Sequence, residues 1–315
     1  MQLVDTYDNL PSELSGGVVV LGNFDGVHLG HRTVIAESRR IAAEIGAPTL
    51  VLTFEPHPRS VFAPDSPPFR LTPSAMKARL LAAEGVDGCI MQKFDRAFSL
   101  RSAESFVQDV LIGGLAARHV VVGYDFKFGN GREGDYDFLL RHSPRFGFAT
   151  TQVAPFSGPD GQPLSSTRVR LALVDGDLAT AEQVLGRRHE IEGVVSEGDR
   201  RGRTIGFPTA NIGLGDCLRP KFGVYAIEAV LPDGAVVAGV ANIGSRPTVD
   251  GTDERLEAHL FDFDGDLYGK RLSIRLCSFI RPERKFSSFD ELKAQIARDA
   301  DTARRDLLEL ASASR

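Results

Sequence analysis

Two histidines three residues apart, His28 and His31, follow a short apolar run and a glycine-rich turn. On a helix that spacing puts both imidazoles on one face. The start of a helix also carries backbone N–H groups with no partner inside the helix, which makes it an anion site. Two ring donors there suit a phosphate whose charge grows during reaction. The pair is equally open to a plainer reading as caps or surface residues. A metal-ligand reading lacks a third ligand at zinc-like spacing nearby.

Other residues have types and spacing that fit phosphate chemistry. Ser165, Ser166 and Thr167 stand at a helix start with Arg168 and Arg170 following. Hydroxyls there cap a helix or bind an anion, and arginine adds forked donors matched to phosphate oxygens. Gly198, Gly202, Arg203 and Gly206 belong to a glycine- and arginine-rich loop able to wrap a phosphate in backbone N–H groups, or to face solvent as an ordinary hairpin. Glu257, in Leu256-Glu-Ala-His-Leu260, alternates with apolar neighbours along a strand and so points away from the core. That exposure fits a general base and fits an unremarkable surface carboxylate. Thr209 and Asn211 put neutral oxygens on one side of an extended segment, the hard ligands that Mg²⁺ takes beside nucleotide phosphates.

The elements that must position these groups follow from apolar patterning. Val18 to Leu21 is a continuous apolar, β-branched run, as in a strand buried on both faces. Gly22, Asn23, Phe24, Asp25 and Gly26 form the turn after it, where small and turn-forming residues let the backbone approach a ligand. A helix runs from near His28 to about Ile45, then a strand from Thr49 to Phe54. Glu55-Pro-His-Pro-Arg59 comes next, and its two prolines predict a rigid non-helical loop offering His57 and Arg59 beyond a strand end. Thr72 is the expected N-cap of the following helix, with Pro73 at its first position. Strands at Gly88–Gln92 and His119–Gly123 flank a helix at about Ala103–Ile112. The alternation predicts a doubly wound parallel sheet in an α/β domain.

Gly129-x-Gly131-x-x-Gly134 meets the dinucleotide-binding pattern, yet it lies late in the domain and no acidic residue ends a following strand at the required distance. A loop closing on substrate is the better reading, with Asp125, Phe126 and Phe128 offering a polar group and aromatic surface to a flat ring. From Gly186 the rhythm changes to strands without helices, which predicts a small antiparallel β-barrel, and only Phe289 to about Leu310 has helical period. The expected domains are residues 1–185 and 186–315.

Composition narrows the classes. The 315 residues are 42% hydrophobic and 25% charged, as in an average globular protein. A net charge of −5 with no long basic run argues against broad nucleic-acid binding, and no apolar run is long enough to span a bilayer. The acidic N-terminus lacks a signal-peptide layout, so a cytoplasmic location is expected. Three widely spaced cysteines read as reduced core thiols.

Gly22-x-Phe-Asp-Gly-x-His-x-Gly-His31 resembles the nucleotidylyltransferase signature. With Asn23 and Phe54-Glu-Pro-His-Pro58 it resembles the bacterial bifunctional riboflavin kinase/FAD synthetase family. Ser165-Ser-Thr-x-x-Arg170, Gly206-Phe-Pro-Thr-Ala-Asn211, Asn242-Ile-Gly, Asp266-Leu-Tyr-Gly269 and Ile280-Arg-Pro-Glu-Arg284 extend the resemblance over nearly the whole chain. It implies that His28, His31 and Arg170 hold ATP phosphates while FMN attacks the α-phosphorus. It implies too that the barrel phosphorylates riboflavin with MgATP, and that His57, Asp125, Phe126 and Phe128 face the flavin. Tyr124 departs from an acidic position in the family pattern. Two rival readings are adenylyl transfer alone, to another acceptor, and a second domain that senses flavin without turnover. ATP, riboflavin and FMN are the small-molecule partners so implied.

Overall fold

The computed structural model describes residues 1–196, 207–248 and 251–313, and divides them into two compact units. Unit 1 holds 1–67 and 72–166, and unit 2 holds 68–71 and 167–315.

Unit 1 is built on six strands, β1 (Gln2–Val4), β2 (Val18–Leu21), β3 (Thr49–Glu55), β4 (Gly88–Lys93), β5 (His119–Gly123) and β6 (Ala149–Val153). All neighbours pair in parallel in the order β1-β4-β3-β2-β5-β6. The all-apolar character of β2 is explained by two cores. Val18 and Val20 pack with Val34, Ile35 and Ile41 of α1 (Leu29–Ile45) and with Leu81 of α3 (Ser74–Ala83). Val19 and Leu21 face the opposite way, onto Phe106, Val110 and Leu111. A strand covered on both faces has no polar side to offer, which is why it reads as an unbroken run. The expected doubly wound sheet is therefore present. Between β2 and β5 the connections diverge to opposite edges, and in such sheets ligands bind beyond the strands' carboxyl ends at that point.

Local expectations needed correction in three places. Pro58–Phe62 is a short helix, α2, because proline at the first helical position loses no needed N–H, so Arg59 lies in a helix and not in a loop. Pro73, not Thr72, stands at the N-cap of α3, since the Thr72 hydroxyl is engaged elsewhere. After the turn α4 (Arg96–Ser99), α5 (Ala103–Ser105) widens into a π-helix over Phe106–Gly114. Gly114 lies where a Cβ would stand 2.4 Å from the Tyr7 ring.

Unit 2 is a closed barrel of six antiparallel strands in the order β10-β11-β8-β7-β12-β9. They are β7 (Glu190–Ser196), β8 (Ala210–Gly213), β9 (Gly223–Val230), β10 (Val236–Thr248), β11 (Gly251–Leu260) and β12 (Arg271–Pro282). The shortest, β8, does not stand out in the sequence from the Pro-Thr-Ala-Asn segment that it overlaps. Alternation sorts β9 between two surfaces. Tyr225, Ile227 and Ala229 fill the barrel interior, whereas Val224 and Ala226 face outward. Onto that outer face the last helix, α9 (Phe289–Ala313), lays Ala300, Ala303 and Leu307. Arg281 Nη2 bonds the buried Asp299 carboxylate at 2.7 Å and fastens the helix there.

Two helices sequence reading placed before the barrel belong to its unit, α7 (Ser166–Asp175, apart from Ser166 itself) and α8 (Leu178–Leu185). Leu178 packs against the barrel core, and Lys221 N donates to the Leu173 carbonyl at 2.9 Å. No helix among the described residues is long and apolar enough to cross a membrane.

Candidate functional site

In unit 1 the site grows out of the end of β2. Gly22 N donates to the Leu52 carbonyl of β3 at 3.3 Å, and the chain then turns through Asn23–Val27. Phe24 and Val27 adopt φ of 49° and 40°, the left-handed region that side chains avoid, and Val27 is β-branched. Such strain persists only where the surroundings hold it, and it concentrates at functional sites. The buried Asp25 carboxylate accepts from Thr72 N at 3.1 Å and from Thr72 Oγ1 at 3.3 Å. Gly26 N donates to Thr72 Oγ1 at 3.1 Å, and Ser166 Oγ donates to the Asp25 carbonyl at 2.7 Å. Phe24, almost fully buried, turns its ring edge to His31 with centroids 5.2 Å apart. Phe24 and Asp25 thus support the loop from beneath, while Asn23 is exposed.

His28 is the N-cap of α1 and His31 lies in its first turn. The two rings stack, centroids 3.6 Å apart at 23°. His28 Nδ1 accepts from His31 N at 3.3 Å, which puts the proton of the neutral His28 ring on Nε2. Capping and a donor role are therefore compatible here: the cap fixes the ring and leaves Nε2 as its donor. The cradle is tight. A Cβ on Gly30 would stand 2.9 Å from the Leu164 carbonyl and 3.1 Å from the His28 ring. Gly30→Ala is expected to cost about 1–3 kcal/mol by overpacking and to slow the chemistry of this unit through displacement of His28. Thermal melting and unit 1 turnover measured together check it, and a variant unchanged in both would show that the cradle yields.

His57 caps α2 and accepts from Arg59 N at 3.1 Å. After β5, Asp125 is exposed and Phe126 half-buried, but Phe128 is a core residue. Its ring packs on Phe106, with centroids 5.2 Å apart, and fills the space where a Cβ of Gly134 would stand. Phe128, expected to face a flat ring, is thus placed in the core. Nor does the loop hang loose, because Phe128 and Gly134 exchange both backbone bonds at 3.0 and 2.9 Å. The glycine pattern here is no phosphate cradle. The helix after it, α6 (Tyr136–Phe146), starts on Asp135, whose carboxyl is held below its usual range by the Lys127 bond and then by the Phe138 N–H. A carboxylate already occupies the place a phosphate would take.

Ser165 and Ser166 end unit 1, while Thr167, Arg168 and Arg170 lie on α7 in unit 2. Arg170 Nε donates to the Phe69 carbonyl at 2.8 Å, with its guanidinium 5.5 Å from the Phe69 ring centroid. Gly198, Gly202, Arg203 and Gly206 lie outside the described residues.

In unit 2 the register assembles a polar row. Glu257 of β11 stands opposite Asn211 of β8 on one side and Asn242 of β10 on the other. Their alternates Leu256, Ala258, Ile212, Ala210, Ala241 and Ile243 fill the core, so the row lies on the outer face of the barrel. Among the described residues no donor engages the half-buried Glu257 carboxylate, so its lone pairs are available. Asn211 is buried and its Oδ1 accepts from Arg255 Nη1 at 3.4 Å. Thr209 lines a cavity of about 70 Å³ with Pro208, Asp266 and Tyr268 at a barrel end. Asn242 was missed as a member of this row. Its Nδ2 donates to Glu283 Oε1 at 3.2 Å, and only strand register, which one sequence does not reveal, brings it beside Glu257.

Comparison with known proteins meets these two arrangements in the same order. Residues 10–168 match the family model described as FAD synthetase, and residues 185–307 the one described as riboflavin kinase. A bifunctional riboflavin kinase/FMN adenylyltransferase from Haemophilus influenzae is 43% identical over 304 residues, covering 96% of this chain and 98% of that protein. The protein of the same description from Escherichia coli (strain K12) is 45% identical over 307 residues, with 96% and 97% covered. A crystal structure described as a macrolide-efflux protein from Streptococcus pneumoniae, 31% identical, superposes with a TM-score of 0.84 over 96% of this chain and 98% of that one.

Proposed function

This chain belongs to the bifunctional riboflavin kinase/FMN adenylyltransferase family, and we propose that unit 1 makes FAD from FMN through His28 and His31 while the barrel makes FMN from riboflavin through Glu257. What supports this division is that the stacked histidines stand at the end of β2 in unit 1 and the Asn211–Glu257–Asn242 row lies within the barrel.

In adenylyl transfer the phosphate of FMN attacks the α-phosphorus of ATP, one P–O bond forms, and the bond to pyrophosphate breaks. Negative charge builds on the non-bridging oxygens as that happens. His28 Nε2–H and the His31 ring, fixed by the cap and by Phe24, offer donors that need no reorganisation when it does. The N-terminal N–H groups of α1 add to the same field. Asp125 and Phe126 remain the candidates for the flavin side, with His57. Arg170, with Ser165, Ser166, Thr167 and Arg168, is the candidate grip on nucleotide phosphates.

In the kinase reaction the terminal ribityl hydroxyl attacks the γ-phosphorus of ATP and ADP leaves. Glu257 accepts the hydroxyl proton as attack proceeds. The donor set at Thr209 and Asn211, one hydroxyl and one amide oxygen, fits Mg²⁺, which takes hard oxygens and completes its shell from phosphates and water. When bound there it supplies neutralisation of charge on the phosphates. Both reactions consume ATP, and a cytoplasmic location is part of this reading.

Incubation of the chain with ATP, Mg²⁺ and either riboflavin or FMN, followed by chromatographic separation of FMN from FAD, tests the pair of activities. FMN without FAD, or FAD only from supplied FMN, removes one half of the assignment. Fragments test the separation. A piece from Thr167 onward is expected to melt cooperatively and phosphorylate riboflavin without making FAD. A piece from Gly186 onward, without Leu178 and the Leu173–Lys221 bond, is expected to keep the activity and melt at a lower temperature. A folded, inactive Thr167 fragment means that the kinase site borrows residues from unit 1.

A further inference from the structure

Lysine is almost never fully buried, yet Lys77 of α3 is only 1% exposed. Its Nζ lies 3.2 Å from Glu55 Oε2, 3.2 Å from the Phe54 carbonyl and 3.4 Å from Thr53 Oγ1. Three acceptors match the three N–H bonds of an ammonium. Because the Thr53 hydroxyl accepts from Lys77, it has its own O–H to give, and it donates to the Asn23 carbonyl at 3.1 Å. A directed chain therefore runs from ammonium to hydroxyl to the loop that carries His28. On its other side the ammonium holds Glu55, two residues ahead of His57.

We propose that Lys77 is a positioning residue for adenylyl transfer, a buried ammonium that ties the Asn23 end of the histidine loop and the Glu55 end of the His57 segment to one point. The inference rests on the adenylyltransferase reading of unit 1.

Stability alone gives a poor reason for this charge, since well-packed apolar side chains in place of a buried ion pair are often as stable or more so. Geometry gives a better one. The loop holds Phe24 and Val27 at positive φ, a conformation that persists only when its surroundings over-determine it. Thr72 pins Asp25 and Gly26, and Ser166 pins Asp25 again, but among the described residues the Asn23 carbonyl is held by Thr53, and Thr53 by Lys77. An apolar side chain in place of Lys77 would fill the volume and leave the Thr53 hydroxyl undirected.

Two variants of the full chain separate positioning from folding. Thr53→Val keeps shape and removes the link to Asn23. Lys77→Met with Glu55→Gln removes the ammonium without stranding a carboxylate. Each is expected to lower kcat for FAD formation from FMN on the order of 10²-fold, the scale of a small misplacement at the reacting atoms. KM for ATP and FMN should stay within about twofold of wild type, with kcat referred to the fraction of unit 1 that is folded, because lost folding lowers apparent kcat at unchanged KM. Riboflavin phosphorylation by the same preparation should be unchanged, which counts the folded barrel, and a circular-dichroism melt set against wild type counts folded unit 1. Combining Thr53→Val with the Lys77/Glu55 pair should cost no more than that pair alone, because Thr53 acts through the ammonium the pair removes. Wild-type kcat in a variant that melts like wild type overturns the inference, as does a loss of FAD formation matched by loss of folded protein. Wild-type enzyme that phosphorylates riboflavin and makes no FAD from FMN overturns instead the adenylyltransferase reading on which the inference stands.

Discussion

His28→Ala is expected to leave riboflavin phosphorylation intact and to slow FAD formation by roughly 10² to 10³, the usual cost of one transition-state donor. The argument runs through the cap. His28 Nδ1 takes the His31 N–H, so Nε2 is committed as the donor, and stacking at 3.6 Å holds both rings side by side. Alanine removes donor, cap and stack together. Loss of an N-cap costs about 1 kcal/mol, too little to unfold a unit whose central strand is wholly buried, so the rate effect should exceed the stability effect. His28→Asn serves as the control. It caps α1 nearly as well as any residue, so it should restore the melting temperature and leave the rate low. Substantial rate recovery in His28→Asn would mean that His28 acts through the helix start alone.

The architecture and the site differ in how far they could be read from the chain. An unbroken apolar run such as Val18–Leu21 declares its two-sided burial locally, and so does the switch to strands after Gly186. His28 and His31 were legible for the same reason, since their contact is set by spacing within one turn. Residues whose role depends on a distant partner were not. Phe128 reads like Phe126 in the sequence and is separated from it only by the ring of Phe106 and the missing side chain of Gly134. Lys77 sits in a helix whose Met76 and Leu81 neighbours predict the buried face, but nothing nearby in the chain shows that Glu55 waits there. Thr72 looked like a helix cap, and its hydroxyl serves Asp25 and Gly26 instead. In each case a tertiary contact outweighed a local preference.

Glu257→Gln is expected to lower riboflavin phosphorylation by roughly 10² to 10⁴, the contribution of a positioned general base, while FAD formation from supplied FMN continues at the wild-type rate. Glutamine matches glutamate in volume and shape, so packing on the half-buried outer face of the barrel should be undisturbed. What it loses is the charge and one acceptor. The row makes this substitution informative, because Asn211 and Asn242 flank position 257 from the neighbouring strands and amides already stand at both. A third amide can donate and accept hydrogen bonds at that place; it cannot take a proton. If Glu257 served only to hold Asn211 or a substrate hydroxyl in place, glutamine would do nearly as well and the loss would be a few-fold. A variant that keeps the rate removes Glu257 from the proton's path and leaves the barrel's chemistry to groups elsewhere on its surface.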